Sequence, residues 1–195
     1  MIAKEEAEKM LVDAEALLIG HFILTSGKHS DRYMQCAKLL QYPQKAEIIA
    51  KELAGDFRAD GAQAVIGPAL GGVIIAYELA RQLNVKNMFA ERENGKMTLR
   101  RGFELEKGMN VIVAEDVITT GGSVKEVMDL VRATGANVAG VCAIVDRSMG
   151  KVDFGVKTRA VYTAEINAWD AEDCPLCARG GAAAIKPGSR GLERL

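Results

Sequence analysis

Glu115 and Asp116 stand side by side after an apolar run, Val111-Ile-Val-Ala114, and after Val117-Ile118 come five small residues, Thr119-Thr-Gly-Gly-Ser123. Neighbouring carboxylates accept hydrogen bonds from hydroxyl groups and can sit near a divalent cation. The backbone N–H groups and hydroxyls of Thr119, Thr120, Gly121, Gly122 and Ser123 can surround a phosphate at the positive end of a helix dipole. Glycines there let the backbone approach a ligand closely. A capped helix after a strand would explain the small residues but not the acids. The Gly-Lys-Ser/Thr of a nucleotide P-loop is missing, and so is the Gly-x-Gly-x-x-Gly of dinucleotide sites. The pattern points to a ligand that carries both hydroxyls and phosphate.

Four further segments carry groups suited to anions. Lys28 lies in Ser26-Gly-Lys-His-Ser-Asp-Arg-Tyr33, and Arg147 in Ala143-Ile-Val-Asp-Arg-Ser-Met-Gly150. A guanidinium offers paired donors to a carboxylate. Taken alone, Arg147 also reads as a surface arginine paired with Asp146, and Lys28 as a solvated lysine. Gly71 and Gly72 end the turn Gly67-Pro-Ala-Leu-Gly-Gly-Val73, whose N–H groups either face phosphate oxygens or simply turn the chain. Arg92, Lys96, Arg100 and Arg101 flank Asn94-Gly95, a strong hairpin-turn signal.

Of the four cysteines, Cys142 sits in an apolar run and reads as a buried thiol. Cys174-Pro-Leu-Cys177 reads as half of a zinc site, as a redox pair, or as a turn with two spectator thiols. No second close Cys/His pair exists and the only histidines are His21 and His29, so Cys36 or a partner subunit are the ligands considered to complete such a site.

The elements that must position these groups alternate. Helical spacing of apolar residues predicts an opening helix over 3–18, capped by Gly20, and a helix from Pro43 through Phe57. Strands follow at 64–67, 85–90, 111–114, 138–145 and 160–164, with helices at 73–83 and 124–134 between them. The fold class is therefore α/β, a parallel sheet of about five strands with helices on both faces. Such sheets bind ligands outside the carboxyl ends of their strands, which selects the loops 67–72, 91–103, 115–123 and 146–150.

At 195 residues one domain is expected, and 49% hydrophobic with 26% charged residues is ordinary for a globular α/β protein. A net charge of −1 argues against charge-driven nucleic-acid binding. The N-terminus lacks the apolar core of a signal peptide, and no apolar run approaches the roughly 20 residues of a membrane span. A cytoplasmic protein without membrane partners is expected.

The thirteen residues 111–123 closely resemble the diphosphate-sugar motif of type I phosphoribosyltransferases. The Lys28 and Arg147 segments resemble those of the orotate phosphoribosyltransferases. The resemblance implies the type I fold with a small hood built from the N-terminal segment 1–42 and the C-terminal tail. It implies transfer of phosphoribose from 5-phosphoribosyl 1-diphosphate (PRPP) to orotate, with Mg²⁺ held mainly through the substrate. Glu115 and Asp116 would hold the ribose hydroxyls, Thr119 to Ser123 the 5′-phosphate, and Gly71 and Gly72 the pyrophosphate. Lys28 and Arg147 would meet orotate. Asp116, Arg92 and Lys96 would carry catalysis, with 91–103 a mobile hairpin loop reaching the neighbouring site of a homodimer. Many orotate enzymes carry Arg-Lys-x-x-Lys-x-His in that loop; here Arg92 matches the first arginine, Glu93 stands where a lysine is expected and no histidine occurs. The segment is more similar to a short-loop branch that ends in Cys-Pro-x-Cys and Lys-Pro-Gly-Ser-Arg, as at 174–177 and 186–190. The alternatives are a transferase for a purine or another pyrimidine, which needs no cation facing a base carboxylate, and a non-catalytic regulator.

Overall fold

The computed structural model describes residues 2–24, 26–180 and 182–187; the end of the tail motif, 188–190, lies outside them. Helix α1 (Lys4–Asp13) leads into an antiparallel hairpin, β1 (Leu17–Ile23) and β2 (His29–Met34). The short α2 (Ala37–Leu40) and long α3 (Pro43–Phe57) follow, the latter starting on the expected proline. Then come β3 (Ala64–Pro68), α4 (Gly71–Leu83), β4 (Lys86–Glu93), β5 (Lys96–Leu99), β6 (Asn110–Ile118), α5 (Gly122–Ala133), β7 (Asn137–Asp146) and β8 (Thr158–Thr163). A last turn of helix, α6 (Pro175–Ala178), closes the described chain.

The central sheet has six strands in the order β5-β4-β3-β6-β7-β8, parallel except for β5. The sequence gives five of them by periodicity. The sixth is the return arm of the 91–103 hairpin, which continues β4 and pairs back on it through Asn94 (φ 51°) and Gly95 (φ 81°). Two positive φ values in a two-residue turn match the twist of the flanking strands, which is why Asn-Gly is favoured there.

Side chains alternate across the sheet. Val65, Ile112, Ala114, Cys142 and Ile144 pack against α1, α3 and α4, whereas Ile66, Val111, Val113, Val141 and Ala143 pack against α5. Period two along buried strands with a helix layer on each face accounts for both cores.

The opening helix is shorter than its periodicity suggests. Glu15 takes φ 54° and breaks it, and Leu17 and Leu18 pair with Met34 and Tyr33 as a strand. Gly20 is not a cap. It lies in a register irregularity of β1, where an added Cβ would meet the Phe22 ring at 3.1 Å.

Candidate active site

Strand order changes direction at β3, which has β4 on one side and β6 on the other. A crevice therefore opens outside the carboxyl ends of β3 and β6, and both loops there run directly into helices. Gly71 and Gly72 are the first residues of α4, and Gly122 and Ser123 the first of α5. Two helix N-termini with unsatisfied N–H groups thus converge on one place.

The acidic pair and the glycine turn are built against each other. A Cβ at Gly71 would lie 2.5 Å from Asp116 Oδ1, and one at Gly72 would lie 2.7 Å from the Ala114 carbonyl. Only glycine lets the turn pass over the carboxylates at this distance. Gly121 is required for another reason: it takes φ 74°, and its Cβ position is filled by Val152 and Phe154. Glu115, Thr119 to Ser123 and their neighbours enclose a cavity of about 50 Å³.

Asp116 Oδ1 accepts from Val117 N at 2.8 Å, and Glu115 Oε1 accepts from Asp116 N at 3.0 Å. Glu115 is almost fully buried. Burial first, then the neighbouring Asp116 carboxylate, pushes its carboxyl up to about 9.

Arg147 leads the loop after β7, and its backbone N donates to Ile118 O at 2.8 Å. The alternative pairing with Asp146 does not form. Asp146 is buried and accepts from Ser148 N at 2.7 Å and Gly150 N at 2.9 Å. Arg147 Nε is buried without a hydrogen-bond partner, and burial lowers the guanidinium from its ordinary value. A cavity of about 390 Å³ lies beside it, lined by Thr119, Arg147, Lys151, Glu165 and Asn167 among others. Thr119 belongs both to this cavity and to the small one above, so the two adjoin.

Lys28 sits in the turn between β1 and β2 and pairs with Asp170 at 3.1 Å, both side chains largely exposed. The segment carrying Asp170 also supplies Asn167 to the cavity wall and accepts from Ser30 Oγ at 2.6 Å through the Asn167 carbonyl. The hairpin cations are unequal. Arg92 donates to Glu126 on α5 at 2.6 Å, Arg101 to Glu91 at 3.0 Å, and Arg100 lies 3.5 Å from Glu93. Lys96 is exposed and, among the described residues, its ammonium has no ion-pair or hydrogen-bond partner. The structure thus brings Glu115, Asp116, Gly71, Gly72, Thr119 to Ser123 and Arg147 to one edge of the sheet. Arg92 is held on the outer surface of α5.

Paired helix N-termini beside an acidic strand end, on a mostly parallel six-stranded sheet, define a phosphoribosyltransferase, and the family model described as phosphoribosyl transferase domain matches residues 37–172. The chain belongs to the orotate phosphoribosyltransferase family. It is 55% identical over 189 residues to the orotate phosphoribosyltransferase of Pelotomaculum thermopropionicum, covering 97% of this chain and 99% of the relative. Against that of Thermotoga maritima it is 52% identical over 186 residues, covering 95% and 99%. Among solved structures, orotate phosphoribosyltransferase from Aeropyrum pernix aligns with a TM-score of 0.69 at 29% identity, covering 80% of this chain and 93% of that one. Adenine phosphoribosyltransferase from Trypanosoma brucei aligns at 0.64 with 16% identity over 84% of this chain and 82% of that one, so the fold itself does not choose the base.

Proposed function

We propose that this chain transfers the phosphoribosyl group of PRPP to orotate, giving orotidine 5′-phosphate and diphosphate in pyrimidine synthesis. The observation that carries the choice of base is Arg147. Its Nε is already stripped of water and unpartnered at the wall of a cavity that adjoins the phosphate loop. A buried donor without an acceptor is costly, and a carboxylate-bearing ring supplies the acceptor and the countercharge. Near-complete alignment with orotate enzymes supports the same reading.

In the proposed mechanism the ring N–H nitrogen of orotate bonds to C1′ as the C1′–O bond to diphosphate breaks, its proton passing to solvent. Positive charge develops on the ribose and negative charge on the leaving group. Asp116 and Glu115 hold the ribose hydroxyls, and the N–H groups of Thr119 to Ser123 hold the 5′-phosphate. Gly71 and Gly72 present the N-terminus of α4 to the diphosphate. Little covalent work falls to the protein, so positioning and fixed charge supply the rate. Lys96, whose ammonium is unengaged, is the proposed cation for the leaving diphosphate, with Arg92 positioning the hairpin through Glu126. Lys28 joins orotate by exchanging its exposed Asp170 partner, a pair worth only about 0.2–1 kcal/mol.

Mg²⁺ when bound neutralises the diphosphate. Asp116 would offer it a carboxylate oxygen, with the ion held chiefly through the substrate. Leu70, Ile74 and Tyr77 leave an exposed apolar stripe at the start of α4, which supports a homodimer that sedimentation velocity would detect. Calorimetric titration tests the base: orotate should bind and uracil, lacking only the carboxylate, should not. Equal affinities would remove Arg147 from this role.

A further inference from the structure

Far from the phosphate loop in sequence, four side chains that no step of the transfer uses converge on one point. His21 projects from β1, His29 from the start of β2, Cys174 caps α6 and Cys177 lies within it. Their donor atoms all lie within 4.8 Å of one another. His21 Nε2 is 3.0 Å from His29 Nδ1, 3.4 Å from Cys174 Sγ and 3.7 Å from Cys177 Sγ, and Cys177 Sγ is 3.3 Å from His29 Nδ1. With Zn–N bonds of about 2.0–2.1 Å and Zn–S bonds of about 2.3 Å, a regular tetrahedron has an N···N edge of about 3.3 Å and N···S edges of about 3.5 Å. The three N···S edges bracket their tetrahedral value, and the N···N edge of 3.0 Å is about 0.3 Å short of its own.

The proton inventory points the same way. His21 Nδ1 lies 2.9 Å from the Ala182 carbonyl, which can only accept, so Nδ1 carries the ring proton. Nε2 therefore turns a lone pair into the cluster. A second group that fixes the tautomer of a histidine is the usual accompaniment of a metal-bound imidazole.

We propose that His21, His29, Cys174 and Cys177 form a structural zinc site that fastens the β1–β2 hairpin to the C-terminal segment. On binding, each cysteine releases its thiol proton to solvent and Zn²⁺ accepts two imidazole and two thiolate lone pairs, with no change of oxidation state. Two nitrogens and two sulfurs in tetrahedral array select zinc over harder divalent ions. Cys36, buried elsewhere with its Sγ 3.8 Å from the Asp116 carbonyl, takes no part.

The location explains why a clamp is useful. The hairpin forms a two-stranded sheet of its own, and such a unit is marginal without added support. It is tied to the C-terminal segment by single bridges, His29 to Trp169 and Phe22 to Ile185. Lys28 is the residue next to His29, so the clamp also fixes where that ammonium points. This last consequence rests on the reading of Lys28 as an orotate contact; metal binding does not.

The test is metal analysis of the full-length protein purified without an affinity tag or chelator. One equivalent of zinc per chain is expected, lost in Cys177→Ser. Because that variant can also lose zinc through misfolding, a second measurement uses wild-type protein stripped of metal and titrated with Co²⁺ alone. A one-to-one endpoint with intense thiolate-to-cobalt charge-transfer absorption and tetrahedral visible bands supports the site. Absent zinc together with a Co²⁺ spectrum lacking thiolate bands overturns it, as does a Cys174–Cys177 disulfide in the freshly purified enzyme. If the clamp positions Lys28, the stripped enzyme shows a several-fold higher KM for orotate with that for PRPP unchanged. A zinc-loaded protein that fails to turn over orotate would contradict the proposed activity and leave the metal site standing.

Discussion

Replacing Arg147 by methionine should separate stability from binding, because the structure places an unpaired charge in the free protein. Methionine keeps an unbranched apolar stem against the cavity wall and removes the guanidinium. An unsatisfied buried donor costs about 1–3 kcal/mol. The group is only half-buried, so the lower end, about 1 kcal/mol, is appropriate. For a chain of this size that amounts to a rise in Tm of about 2–4 °C for R147M without ligands. The bound state should move the other way. A hydrogen bond to a charged group is worth about 1.5–3 kcal/mol, so orotate should bind about 10- to 150-fold more weakly while PRPP affinity stays as it was. Differential scanning fluorimetry with and without each substrate reads all of these. A lower Tm in the free protein, or equal weakening toward both substrates, would refute the reasoning.

The other substitutions address the sugar-phosphate side. Asp116→Asn keeps an oxygen for Val117 N but loses the charge, so kcat/KM for PRPP should fall about 10- to 150-fold with an unchanged circular-dichroism melt; full activity would sink the hydroxyl-binding role. Gly71→Ala must displace the Asp116 carboxylate, since its Cβ would start 2.5 Å from Oδ1. A shift on the order of 1 Å can cost about 10²-fold in rate, and activity equal to wild type would show that the turn yields freely. Glu115 gives a pH signature. Its folded value of about 9 lies above the ordinary 4.5, so folding is favoured most below the ordinary value and loses stability as pH rises toward the folded one. Glu115→Gln removes that loss, and its Tm advantage over wild type should be larger at pH about 9 than at pH about 5; a constant difference would contradict the burial account.

The acidic pair and small-residue turn of 111–123 were legible as structure because they form a local motif: residue types at fixed spacing, a strand before and a helix after. The sheet was legible for the same reason, since buried strands and amphipathic helices announce their period. What failed depended on contacts between distant residues. Four hairpin cations looked alike until Glu91, Glu93 and Glu126 were seen to engage three of them. His21 and Cys174 are 153 positions apart, and no spacing rule joins a hairpin to a distant tail. Leu17 and Leu18 fit a helical stripe equally well, and only pairing with β2 decides for a strand.

The proposed activity moves phosphoribose onto orotate. The most direct measurement follows orotate absorbance after PRPP and Mg²⁺ are added, with diphosphate release recorded in the same sample and uracil and adenine run in parallel. Loss of the orotate signal matched mole for mole by diphosphate is expected, with no turnover of the other two bases. Diphosphate release with uracil or adenine but not orotate would contradict it.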